Sequence, residues 1–104
     1  MKPTKVNILG IDYNIIYVDK PSDVDIYKRE SLWGQIDYWT RTIRIYDNDR
    51  ALDDIWQTIW HEVIHGIIES LHIKSLENLK ECHDDIDLLA LAISDILFRN
   101  GWML

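Results

Sequence analysis

The sequence predicts an α+β domain, with a small antiparallel or mixed sheet from two hairpins packed on two long helices. Two changes along the chain carry this reading. Apolar residues alternate at period two as far as Tyr46, and from Asp49 onward they recur at helical spacing. Length supplies the third observation: 104 residues, 47% of them hydrophobic, fit one domain over 1–104 with a core of its own.

Val6 and Ile8, then Ile11, Tyr13, Ile15 and Tyr17, alternate around Gly10 and predict an N-terminal hairpin with a short turn. Residues 19–32 hold Pro21 and mostly polar side chains, so they read as a loop longer than most connections in a small domain. A second hairpin follows, Gln35 to Trp39 and Thr42 to Tyr46, bending at Thr40-Arg41. Leu52, Ile55, Trp56, Ile59, Trp60, Val63, Ile64, Ile67, Ile68 and Leu71 then form the stripe of a helix ending near His72. Asp47, Asn48 and Asp49 offer its cap, and Asp53 and Asp54 suit the positive end of its dipole. Ser75 is the candidate cap of a second helix, whose stripe runs from Leu79 through Cys82, Ile86, Leu89, Ala90 and Ile93 to Leu97. Asn100-Gly101 closes that helix.

Charge narrows the function classes. Eleven Lys and Arg against 18 Asp and Glu leave a net charge of −7. Binding to nucleic acid or to an anionic membrane needs a basic face, so neither is expected. A lone cysteine, Cys82, forbids an internal disulfide and fits a reducing cytosol; it reads as a core residue. MKPTKVNILG lacks the apolar run of a signal peptide, and no stretch approaches ~20 uncharged apolar residues. The expectation is a cytoplasmic protein, a monomer or small homo-oligomer.

The chemistry concentrates in His61-Glu62-Val63-Ile64-His65, an H-E-x-x-H inside the first helix. Histidines four apart share a helix face, so two imidazole nitrogens can converge on one Zn²⁺ at ~2.0–2.1 Å. Glu62, next to the first ligand, is placed to take a proton from a water activated by that metal. The alternative is a merely solvated face carrying Asp54, Thr58, His61, Glu62, His65, Glu69 and His72. A helix apolar on most other sides favours the metal.

A catalytic zinc needs a third protein ligand and an open position. The longer H-E-x-x-H-x-x-G-x-x-H pattern fails, because Ile68 and Leu71 stand where its glycine and last histidine belong. His72 lies about 10 Å along the axis from His65, too far to share an ion. The second helix must supply the ligand. In an antiparallel helix pair turning around Lys74, His65 and His83 stand level, as do His61 and Asp87. His83 falls about 70° from the centre of the second stripe, Asp85 and Asp87 about 90° and 110°, and Asp84 nearly opposite it. His83 is the first candidate; Asp87 is the second, as ligand or as a carboxylate orienting a histidine.

Other constellations weigh less. Asp47-Asn48-Asp49 begins like a calcium loop, but Leu52 and Thr58 stand where its glycine and bidentate glutamate belong. Trp56 and Trp60 read as core. Trp33, Tyr38 and Trp39 could line a groove, with sheet packing the expected role.

Gly34-Gln35-Ile36-Asp37, the strand Ile43-Arg44-Ile45, the H-E-x-x-H and Leu97-Phe98-Arg99-Asn100 together resemble the small phage and bacterial zincins of the ImmA/IrrE-like metallopeptidase family. The resemblance spans most of the chain, and only the metal motif in it is specific. It implies a minimal zincin-like fold, a zinc cofactor and a strand edge holding an extended peptide beside the metal. In that family the third ligand is usually a glutamate seven residues before an alanine on the next helix. Counting back from Ala90 reaches His83, a histidine in that place.

The leading expectation is therefore a zinc metallopeptidase, phage or prophage encoded, with His61, His65 and His83 on the metal and Glu62 as general base. Its partner would be a peptide or protein substrate, a host or phage regulatory protein. A catalytically silent zincin scaffold that binds and inhibits a host protein is the alternative. Zinc-dependent hydrolysis of a non-peptide amide is a third.

Overall fold

Four strands and two helices make up the described chain: β1 Lys5–Ile8, β2 Ile11–Val18, β3 Gly34–Asp37, β4 Thr42–Tyr46, α1 Leu52–Leu71 and α2 His83–Arg99. The computed structural model describes residues 2–71 and 83–102, apart from the side chains of 83–88 and 90. The two expected hairpins are present, and they join through their second strands. β2 and β4 run parallel in the middle of one mixed sheet of order β1-β2-β4-β3, with Ile15 beside Ile43 and Tyr17 beside Ile45.

Local residues explain the turns. Leu9 and Gly10 both adopt positive φ, 51° and 93°, which makes the two-residue turn whose twist suits a hairpin. The Asn7 side chain accepts the Gly10 N–H at 2.9 Å and steadies it. β3 ends at Asp37 rather than at the expected Trp39. The buried Asp37 carboxylate accepts the Thr40 hydroxyl at 2.6 Å, and Arg41 turns back at φ 52°.

One sheet face is apolar and both helices lie on it. Val6, Ile8, Tyr13, Ile15, Ile43 and Ile45 meet Ile55, Ile59, Val63 and Ile67 of α1 and Ala92 and Ile96 of α2. Each such Val or Ile side chain removed from water contributes roughly 1.5–3 kcal/mol. Trp56 and Trp60 sit at the rim of this core, edge-on against Trp102 at 5.3 and 5.6 Å. Gly101 ends α2 at φ 64°, and the Trp102 N–H reaches back to the Leu97 carbonyl at 2.9 Å. No described helix is long and apolar enough to cross a membrane.

The start of α1 differs from the expected cap. Asp49 takes a left-handed φ of 55°, the helix begins at Leu52, and the Ala51 carbonyl accepts the N–H groups of Asp54 and Ile55. Asp47 instead pairs with Lys2. The side chain of Arg50 ties the join together, donating to the Tyr46 carbonyl at 2.7 Å, the Asp54 carbonyl at 3.1 Å and Thr58 Oγ1 at 2.8 Å. The helix end near His72, the Ser75 cap and Cys82 lie outside the described residues.

Residues 19–32 form the expected connection and fold over the other sheet face. A short 3-10 turn at Pro21–Asp23 leads into Val24 and Asp25, both fully buried. Arg44 of β4 donates to the carbonyls of Asp23 at 2.7 Å and Val24 at 3.0 Å. Asp25 organises the remainder, accepting the N–H groups of Tyr27 at 2.9 Å and Arg29 at 3.1 Å, Arg29 Nε at 3.2 Å and Gln35 Nε2 at 3.0 Å. Burial alone would raise its carboxyl, but these donors hold it well below the usual carboxylate range.

A depressed folded value means that this stabilisation is present above the unfolded aspartate's pKa, near 4. It is lost as the pH falls from there through the folded value. Asp25→Asn should therefore lower stability at neutral pH while flattening the acid limb of the stability curve. Denaturant titrations from pH 7 to pH 2 read this out; an acid limb as steep as the parent's would show that Asp25 does not drive it.

Candidate metal centre

α1 places the H-E-x-x-H motif where the helix passes under the outer strand β3. Val63 and Gly66 face the core, His61 and His65 face solvent, and Glu62 lies between, buried. The two imidazoles meet edge to face, with centroids 4.8 Å apart and Nε2 atoms 3.2 Å apart. Nitrogens that far apart, each ~2.05 Å from one ion, would subtend about 100° at it, close to the tetrahedral value. The spacing of the two nitrogens is thus compatible with two positions of a tetrahedral metal site.

Among the described residues no group of three His, Cys, Asp or Glu gathers into a larger metal cluster. Backbone at His83 opens α2. The side chains of the third-ligand candidates His83 and Asp87, and of Asp84 and Asp85, lie outside the described residues, as does His72.

Close packing sets the position of Glu62. A Cβ on Gly34 would stand 2.7 Å from Thr58 Cγ2 and 3.2 Å from Glu62 Oε2, so only glycine lets β3 lie this near the helix. One helical turn further on, a Cβ on Gly66 would meet Ile8 Cδ1 of β1 at 2.7 Å and Ile36 Cδ1 of β3 at 3.2 Å. Together they bring the motif directly beneath the strand.

The strand presents an open edge there. Tyr46 N–H bonds the Trp33 carbonyl, which fixes Gln35–Arg44 and Asp37–Thr42 as the hydrogen-bonded pairs with β4. Gly34 and Ile36 therefore turn their backbone groups outward, and the Ile36 N–H lies toward the Glu62 carboxylate. The opposite edge is closed differently, by Asn100, which accepts the Asn7 N–H at 2.9 Å and donates to the Asn7 carbonyl at 3.1 Å. Burial pushes the Glu62 carboxyl above the ordinary glutamate value, against the pull of His61, His65 and the Ile36 N–H. The result is a carboxylate more basic than one in water. Tyr38 closes this end of the site by donating its hydroxyl to the His65 carbonyl at 3.2 Å.

A groove of about 360 Å³ runs from His61 and Glu62 toward the start of α1, between Trp33, Arg50, Gln57 and Thr58. Trp33 borders it rather than packing on the sheet, and Trp39 projects almost fully into solvent at the hairpin tip, 91% exposed. Sequence reasoning singled out neither Arg50 nor Gly34 as a groove residue. Only the glycine had left a trace, standing just ahead of an alternating strand. No family model, no curated protein and no solved structure matches this chain.

Filling the glycine at the crossing tests the packing. Gly34→Val should cost about 1–3 kcal/mol in chemical denaturation, because Thr58 and Glu62 must give way. A cost below ~0.5 kcal/mol would mean that the crossing is loose.

Proposed function

We propose that this chain is a zinc-dependent metallopeptidase, phage or prophage encoded, acting in the cytoplasm of a bacterial cell on a host or phage regulatory protein. The observation carrying this reading is the pair of histidine Nε2 atoms 3.2 Å apart beside a buried glutamate at an open strand edge. His61, His65 and a third side chain from α2, His83 first and Asp87 second, would hold the zinc. When bound, it would polarise the scissile carbonyl and lower the pKa of a water toward ~7.

The chain's own residues supply the remaining steps. The outward Gly34 N–H and the outward carbonyls of Gly34 and Ile36 would hold an extended peptide as an added strand. A Glu62 carboxylate oxygen would take the proton of the attacking water as the new C–O bond forms. The same proton would then pass to the amine nitrogen as the C–N bond breaks. Ile36 N–H would keep the other face of that carboxylate fixed. Burial excludes competing water from Glu62 on the core side.

A silent scaffold that binds a host protein is favoured by one observation. Trp39 and Trp33, 91% and 62% exposed, flank the same edge and would suit a protein contact.

Purified protein should carry about one zinc per chain by elemental analysis. His61→Ala or His65→Ala should remove it, and His83→Ala should weaken it strongly. An outer Asp87→Ala should cost about 10–100-fold in affinity. Stoichiometric zinc in the His61→Ala, His65→Ala double variant would refute the metal site.

Glu62→Gln should retain zinc and fold while losing hydrolysis by ~10²-fold or more, since an amide takes no proton from water. Full biological activity in Glu62→Gln would instead establish the silent scaffold.

A further inference from the structure

We infer that the groove beside the H-E-x-x-H motif is a carboxylate subsite, in which Arg50 receives an acidic side chain or a terminal carboxylate of the bound peptide. The inference rests on the peptidase reading for the path of the peptide. Its chemistry comes from the surroundings of Arg50.

Arg50 is the one Lys or Arg lining the groove, in a chain whose acidic residues outnumber basic ones 18 to 11. The ion pairs among the described residues use Lys2, Lys28, Arg29 and Arg99, and none of them engages Arg50. Its three hydrogen bonds go to uncharged acceptors, the carbonyls of Tyr46 and Asp54 and the Thr58 hydroxyl. Its Nε–H is buried and has no partner. A guanidinium carries five N–H donors and bonds carboxylates best through two at once. Three of the five are used here, so one Nη1–H and the buried Nε–H remain, and no acidic group among the described residues acts as its counter-ion.

The same bonds make Arg50 rigid. It is tied to the end of β4 and to the first turns of α1, and it lies over the Trp33 ring at 4.3 Å. A cation fixed in this way binds an anion without the entropy cost of ordering a long side chain. Stacking on an aromatic ring offsets only part of its charge.

Two carboxylates also face the groove. Asp54 is exposed at the mouth, where water and salt screen it. Glu62 sits at the far end, with the Ile36 N–H toward its carboxylate. The half-buried wall between them is cationic. A volume near 360 Å³ falls within the range of small ligand clefts.

Direction follows from the packing. β3 runs from Gly34 beside Thr58 to Ile36 beside Gly66, along the direction of α1. A peptide added antiparallel to β3 therefore heads toward the start of the helix. Residues C-terminal to the scissile bond would lie along Arg50.

The test separates this inference from the peptidase reading by measuring binding in metal-free protein at pH 8, so that no bound zinc attracts the anion. Its probes are N-acetylated, alanine-based octapeptides: amidated peptides carrying one Glu, Gln or Lys, and all-alanine peptides with a free or amidated C-terminus. The Glu peptide or the free-acid peptide should bind about tenfold or more tightly than its neutral counterpart, and which does so identifies the source of the carboxylate. The Arg50 Nε–H signal in nitrogen-15 NMR should shift on saturation. Arg50→Gln, shown folded by its thermal transition, should lose the preference, and Arg50→Lys should keep part of it. Equal binding of Glu and Gln peptides together with equal binding of both C-termini, a preference for Lys, or a preference surviving in Arg50→Gln would overturn the subsite. Failure of zinc-loaded wild type to cleave any peptide would overturn the peptidase reading alone.

Discussion

The close approach of α1 to β3 is the constraint on which the rest of the structure depends. The missing Cβ of Gly34 lets Thr58 and Glu62 lie against β3, and that of Gly66 leaves room for Ile8 of β1 and Ile36 of β3. The core stripe of Ile55, Ile59, Val63 and Ile67 presses the helix onto the sheet, and the glycines decide how near it comes. At that separation Glu62 reaches a backbone N–H of the strand, and His61 and His65 emerge on the adjoining solvent face. A helix held further out would leave the carboxylate in water and the strand edge unfilled.

Sheet order sets which edge receives the motif. β1 and β3 are both outer strands, and each turns alternate backbone groups outward. Unpaired edges invite association, and natural sheets blunt them. Here Asn100, arriving from the end of α2, answers both outward groups of Asn7 on β1. On β3 the Ile36 N–H lies toward the Glu62 carboxylate, and the other outward backbone groups of Gly34 and Ile36 remain at the edge.

Much of this was legible in the residues. Period-two alternation around Gly10 and around Thr40-Arg41 located both hairpins, and the switch of period after Tyr46 located the first helix. The motif reported that two histidines share a face, and they do. What stayed hidden was long-range. Parallel pairing of β2 with β4 leaves no mark in either strand, because alternation is the same whichever neighbour a strand takes. Asp25 stands in a mostly polar run that reads only as a loop, whereas it is the buried acceptor around which the loop closes. The acidic run before the first helix looks like a cap, yet Asp49 takes a left-handed φ and the Ala51 carbonyl accepts the Asp54 and Ile55 N–H groups, while Arg50 ties the join through carbonyls. Local pattern reports faces and ends; it does not report which distant backbone group a side chain will find.

The burial of Glu62 argues that the site is more than a by-product of packing. A helix crossing a strand this closely would gain stability from an apolar residue at position 62, since a buried carboxylate loses its hydration and recovers only part of that through one N–H. The two histidines draw its charge the other way, but they stand on the exposed side, where water weakens their effect. Fold stability alone therefore disfavours this residue at this place. Sites that break the rule of consistent local choices are where function is sought. Here the residue that breaks it lies between two imidazoles whose Nε2 atoms stand 3.2 Å apart, beside the outward backbone groups of β3.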